Sequence, residues 1–105
     1  MTVVMNHGTA SSAGNVVIVL DGDTEAGQSL ARRLLAEGRR VAVVVRHAAD
    51  GVAVLHGQSY DRVMVIAADA DDRAQWSRVT ERVRDRFGRI DTVVRAQDAA
   101  LRLPA

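Results

Sequence analysis

The sequence contains no cysteine and no lysine, a single proline, and only three aromatic residues: Tyr60, Trp76 and Phe87. Without cysteine there is no disulfide framework and no zinc–thiolate site. Without lysine there is no Schiff-base chemistry, no P-loop lysine and no lysine-assisted proton relay. Long apolar runs are also missing. The longest, such as Val16–Leu20 and Val41–Val45, have about five residues, against the roughly 20 that span a bilayer. The N-terminus has no basic start followed by an apolar run, so no signal peptide is read. With the lack of cysteine this sets a cytoplasmic expectation. Neither sign of charge is in excess. Fourteen arginines face 13 acids, a net charge of +1, which exerts no general pull toward nucleic acid or a membrane. A chain of 105 residues makes one domain.

What is present alternates. Residues 1–15 are rich in Ser, Gly, Thr and Asn without a period, and are expected to be a flexible arm. Val16–Leu20 is a continuous β-branched run, the pattern of a strand buried on both faces. Asp23 or Thr24 can cap a helix whose apolar residues Ala26, Leu30, Ala31, Leu34 and Leu35 recur at helical spacing, with Gly38 as its left-handed stop. Val41–Val45 is a second buried strand, and Ala48, Ala49, Val52, Ala53 and Leu55 allow one or two helical turns, a longer helix being weakened by Gly51 and Gly57. Arg62–Ala67 is a third strand. Asp72 with Gln75 resembles a capping box, and Trp76, Val79, Val83 and Phe87 form an apolar helical stripe that Gly88 ends. Ile90–Val94 is a fourth strand, and residues 99–105 are a tail. The order β-α-β-α-β-α-β implies a parallel sheet with right-handed crossovers over residues 16–98.

Three stretches carry a more specific likeness. Ser29–Gly38 followed by Arg40–Arg46, Ala67–Asp72, and Val83–Val94 resemble, in that order, parts of the short-chain dehydrogenase/reductase family: its first helix and second strand, its aspartate loop after strand three, and its junction into strand four. The resemblance runs from about residue 16 to 102. It implies an α/β Rossmann-like, doubly wound parallel sheet with strand order 3-2-1-4, the three-layer half-domain that binds NAD(P). Departures from the family are equally specific. Its Thr-Gly-x-x-x-Gly-x-Gly loop reads Leu20-Asp-Gly-Asp-Thr-Glu-Ala-Gly27 here, so Asp21 and Glu25 replace the first two glycines. The Asn-Asn-Ala-Gly after strand four reads Arg95-Ala-Gln-Asp98. The catalytic Ser and Tyr-x-x-x-Lys have no counterpart in these residues, and Tyr60 precedes strand three.

A dinucleotide loop works because glycines let backbone N–H groups approach the pyrophosphate at a helix N-terminus. Glu25, Asp21 and Asp23 add bulk and negative charge there. Two like charges about 4 Å apart repel by about 1 kcal/mol in water and about 4 kcal/mol at an effective dielectric of 20. Several such terms rival micromolar binding, about −8 kcal/mol, while a helix dipole returns only about 0.3–1 kcal/mol. The expected cofactor is therefore none, or NADP(H) held weakly. The resemblance implies Gly22 and Gly27 for the surviving phosphate loop, Arg46 for a 2′-phosphate, and Asp69 for the adenine ring.

Other constellations point to plainer roles. Asp21, Asp23, Glu25, Asp69, Asp71, Asp72 and Asp98 all follow strand ends, where carboxylates cap helices and make turns. They are also oxygen ligands of the kind Mg²⁺ prefers. Receiver domains place acids similarly, but they need a lysine. His7, His47 and His56 lack the i, i+4 spacing of metal ligands. Ser29, Ser59 and Ser77 lack a nucleophile-elbow context. Arg78, Arg82 and Arg86 interleave with Glu81 and Asp85, the pattern of a solvated face, and Trp76 reads as core.

In the resembled family a fifth strand continues the sheet beyond strand four. Here strand 90–94 is expected at an open, apolar edge that recruits another strand, in a homodimer or against a protein partner. The expectation is a degenerate domain of that family. It is not catalytic by itself and acts as a binding or scaffolding module through this edge. The alternative is the NADP(H)-binding part of an oxidoreductase completed by another chain.

Overall fold

The computed structural model describes residues 15–96. The expected arm, the tail and Asp98 lie outside them, apart from Asn15. Four strands form one parallel sheet: β1 (Val16–Val19), β2 (Arg40–Val45), β3 (Val63–Ala67) and β4 (Thr92–Val94). Their spatial order is β3-β2-β1-β4, the 3-2-1-4 order expected from the sequence. The connections are helix α1 (Glu25–Ala36), a 3₁₀ turn (Ala48–Gly51) running into the one-turn helix α2 (Val52–Leu55), and helix α3 (Arg73–Phe87).

Alternation along the strands builds two cores. Val16, Ile18, Ala42, Val44, Met64 and Ile66 face Val79, Val83 and Phe87 of α3. Val17, Val19, Val41, Val43, Val45 and Val63 face Ala31 and Leu35 of α1 and Val54 of α2. Both faces are covered, so the strands read as unbroken apolar runs. Each such side chain contributes roughly 1.5–3 kcal/mol by leaving water. On α1 the buried row is Gly27, Ala31 and Leu35. Ala26, expected in the apolar stripe, is exposed, because the i, i+4 row that meets the sheet starts one residue later.

The helix ends follow local chemistry. Thr24 caps α1, its Oγ1 accepting from the Gly27 N–H at 2.9 Å. Asp72 caps α3 by accepting from the Gln75 N–H at 3.0 Å. The expected reciprocal capping box is only half formed. Gln75 turns its side chain to the Asp69 N–H instead, at 2.8 Å, which ties the loop after β3 to the helix. Arg86 also departs from the solvated face read from its spacing. Its guanidinium stacks on Tyr60, 3.8 Å from the ring centroid, and donates to the Tyr60 carbonyl.

β4 begins at Thr92 rather than at Ile90. Asp91 is diverted, its carboxylate accepting from the Val16 N–H at 2.8 Å and its own N–H donating to the Val16 carbonyl at 2.9 Å. That bond to Val16, with Arg89 beside it, holds the Asp91 carboxyl below its ordinary value of 3.8. A depressed folded-state pKa gives stability that is present above the unfolded value and lost as pH falls through the folded one. The stability curve should therefore drop as pH falls below about 4. Asp91→Asn should flatten that drop in urea titrations run between neutral and acid pH.

Candidate functional site at the carboxyl ends of the strands

α1 follows β1 on one face of the sheet and α3 leads into β4 on the other, and β1 and β4 lie side by side. A crevice opens there beyond the strand ends, at the switch point where open α/β sheets bind ligands. It holds a cavity of about 250 Å³ lined by Leu20, Asp21, Asp23 and Thr24 after β1, Val45 and Arg46 at the end of β2, Ala68–Asp71 after β3, and Arg95 after β4. A second cavity of about 320 Å³ adjoins it, sharing Arg46, Ala68 and Asp69 and adding His47, Ala67 and Gln75.

Of the four residues singled out from sequence, the fold brings Arg46 and Asp69 together at both cavities. Gly22 and Gly27 line neither. A Cβ on Gly22 would stand 1.9 Å from Val43 Cγ1, and one on Gly27 would stand 1.9 Å from the Asp21 carbonyl oxygen. Both glycines therefore let the β1–α1 turn press against β2 and α1 against that turn. The loop keeps its tight shape, but its electrostatics are reversed. Glu25 is the first residue of α1, where a carboxylate favours the helix and opposes a bound phosphate.

Asp21, at the position of the family's first glycine, is buried. Its carboxylate accepts from the Ala96 N–H at 2.9 Å, tying the β1 turn to the end of β4. Across the cavity, Asp69 Oδ1 accepts from the Asp71 N–H at 2.9 Å, and Asp71 pairs with Arg95, Oδ1 to Nη2, at 3.4 Å. Asp69 and Asp72 thus make the turn and cap bonds expected of such carboxylates, whereas Asp21 and Asp71 find long-range partners in Ala96 and Arg95. Among the described residues, no three His, Asp or Glu side chains gather into a metal-holding group. Sequence reasoning missed Arg95. Its only signal was an arginine where the resembled family has asparagine.

The serines and Tyr60 lie elsewhere. Ser29, Ser59 and Ser77 are exposed and outside both cavities. Tyr60 precedes β3 and sits at the opposite end of the sheet, 79% exposed beneath Arg86. His47 reaches the second cavity, His56 ends α2, and His7 lies outside the described residues. No helix among the described residues is long and apolar enough to cross a membrane.

A parallel 3-2-1-4 sheet with a crevice between its β1 and β4 loops defines a dinucleotide-fold domain of the Rossmann type. The model of the short chain dehydrogenase family matches residues 15–97, and the chain belongs to that family. Solved structures agree. A short chain dehydrogenase from Bacillus anthracis superposes with a TM-score of 0.74 at 23% identity, over 80% of this chain and 35% of that one. Levodione reductase gives 0.66 at 32% identity, over 76% and 33%. A 3-ketoacyl-(acyl-carrier-protein) reductase from Brucella melitensis, complexed with NADH, gives 0.70 at 25% identity, over 76% and 33%. The chain spans about a third of the length of these relatives. A search of curated proteins gave no match.

Proposed function

We propose that this chain is a nucleotide-cleft domain that performs no turnover by itself. It holds the adenosine 2′-phosphate end of NADP(H) weakly and associates through β4. The observation that carries the reading is a divided cleft. Arg46, Asp69 and Gln75 converge on one side, while Asp21 and Glu25 stand where the family's loop meets the pyrophosphate. The donors fit one end of the cofactor better than the other. Arg46 supplies a fixed positive charge to a 2′-phosphate, and Asp69 supplies an acceptor for the adenine amine. When bound, the cofactor would bring hydride chemistry. These 105 residues offer no lysine to assist it, and their one tyrosine lies at the far end of the sheet.

Calorimetric titration of NADPH, NADP⁺ and NADH, with and without Mg²⁺, tests this. NADPH should bind more tightly than NADH, and Arg46→Ala should weaken it about tenfold, the loss of one charge-assisted contact. No heat up to millimolar NADPH, or an unchanged Arg46→Ala, defeats the reading.

Association rests on β4. It is the edge strand next to β1, three residues long, and Val93 on it is 42% exposed. An apolar parallel edge of this kind takes up another strand, and in the isolated chain the partner is a second copy. Light scattering at tens of micromolar should report a dimer, and Val93→Glu should shift it to monomer. A clean wild-type monomer counts against the association.

A second reading is favoured by the 32% identity to levodione reductase. On it the domain is the cofactor half of an oxidoreductase, and another polypeptide supplies the catalytic serine, tyrosine and lysine. The chain alone would then still leave NADPH unoxidised with a carbonyl substrate, but would gain turnover on mixing with that polypeptide.

A further inference from the structure

Resting on the nucleotide-cleft reading, we propose that Arg95 is a phosphate-binding residue of this cleft, held in the free protein by Asp71 and passed to the nucleotide's pyrophosphate on binding. The cavity beside the β1 turn is lined by four acids, Asp21, Asp23, Asp69 and Asp71, and by two cations, Arg46 and Arg95. A pyrophosphate entering beside the β1 turn meets the acids first. Arg46 follows β2 and is committed to the opposite end of the ligand. Arg95 is the cation on the pyrophosphate side, because it follows β4, which pairs with β1 through Val17–Val19.

Its backbone is anchored where the phosphate must lie. The next residue, Ala96, donates its N–H to Asp21 in the β1 turn, so the Arg95 Cα cannot drift from that turn. Its side chain, by contrast, is loosely held. The pair with Asp71 is long, 3.4 Å, with the arginine side chain 41% and the aspartate 76% exposed. Exposed pairs of this kind contribute little, so exchanging partners costs little. A phosphate offers the guanidinium two parallel oxygens in place of one distant one, and a charge-assisted bidentate contact is the stronger. The transfer also leaves Asp71 facing solvent, where it already is. Arginine here thus replaces, from the β4 side, the positive potential that Glu25 and Asp21 remove from the β1 side.

The test uses two ligands on the whole chain. NADPH carries the pyrophosphate, and adenosine 2′-phosphate lacks it. Arg95→Ala should weaken NADPH about tenfold, the size of a lost charge-assisted bond, and leave adenosine 2′-phosphate unchanged. Arg46→Ala should weaken both. Asp71→Asn should tighten NADPH severalfold by freeing Arg95 in advance. Arg95→Asn, which installs the residue the family has there, should bind NADPH as poorly as Arg95→Ala. Thermal unfolding of each variant should match the wild type, since the pair is exposed. If Arg95→Ala leaves NADPH binding unchanged, or Asp71→Asn weakens it, Arg95 is not a phosphate ligand, although the cleft reading stands on Arg46. If neither ligand binds the wild type, both proposals fail together.

Discussion

Gly27→Ala is expected to cost the fold about 2 kcal/mol, a fall of roughly 8–16 °C in the unfolding midpoint. Two effects oppose each other. Alanine is the better helix former by about 1 kcal/mol, and Gly27 sits in the first turn of α1. Against this, the new Cβ would lie 1.9 Å from the Asp21 carbonyl oxygen and 2.6 Å from its carbon. Backbone cannot step aside as a side-chain tip can, so α1 must shift from the sheet. That shift loosens Ala31 and Leu35, which lie on the same row and are buried against β1 and β2. Overpacking of this kind costs about 1–3 kcal/mol or more, which exceeds the gain. Gly38→Ala is the control. Its φ is +91° and nothing lies within 4 Å of a Cβ there, so its cost is conformational only, about 1 kcal/mol. Thermal melts followed by circular dichroism separate the two. A Gly27→Ala protein as stable as the wild type would show that α1 is not pressed on the β1 turn.

Asp21→Gly should move stability and ligand affinity in opposite directions. The buried carboxylate accepts the Ala96 N–H. Removing it leaves that donor without its acceptor, at about 1–3 kcal/mol, and glycine adds backbone entropy to the unfolded chain, about 0.5–1 kcal/mol more. The same change removes a negative charge from the wall that a pyrophosphate approaches. At an effective dielectric near 20, a like charge about 4 Å away is worth about 4 kcal/mol, less where water screens it. NADPH should therefore bind about tenfold more tightly or better while the urea midpoint falls. Chemical denaturation and calorimetry on one preparation give both numbers. A variant that loses stability without gaining affinity would place the obstacle to the dinucleotide at Glu25 instead.

Much of the site was legible because it depends on local chemistry. Continuous valine runs, a Thr24 cap, an Asp72 cap and glycines past the helix ends are short-range signals. They fixed the alternation and hence a parallel sheet. Arg46 and Asp69 could be placed because each follows a strand end, and strand ends share one rim. The sequence offers Gly22 and Gly27 either for a surviving phosphate loop or for the strand-to-helix turn alone, and a Cβ on them would meet Val43 and the Asp21 backbone. Shape at a glycine is a tertiary matter, since what a missing Cβ avoids is not a sequence neighbour. The spacing offers Gln75 as half of a capping box, but its side-chain oxygen accepts from the Asp69 N–H, three residues before the cap.

By itself, the sequence determined the fold class, the strand order through its family likeness, and the inverted charge of the β1 turn. The fold class and the charge follow from periodicity, propensity and composition, which act over a few residues, while the strand order is what the resemblance implies. Only the tertiary structure decided what those acids and arginines touch. Asp21 lies 75 residues from Ala96, and Arg95 lies 24 from Asp71. Both meetings exist because β4 pairs with β1 rather than with its sequence neighbour β3. Hydrogen bonds and charge act over ångströms in space, so which groups they join waits on the path of the chain.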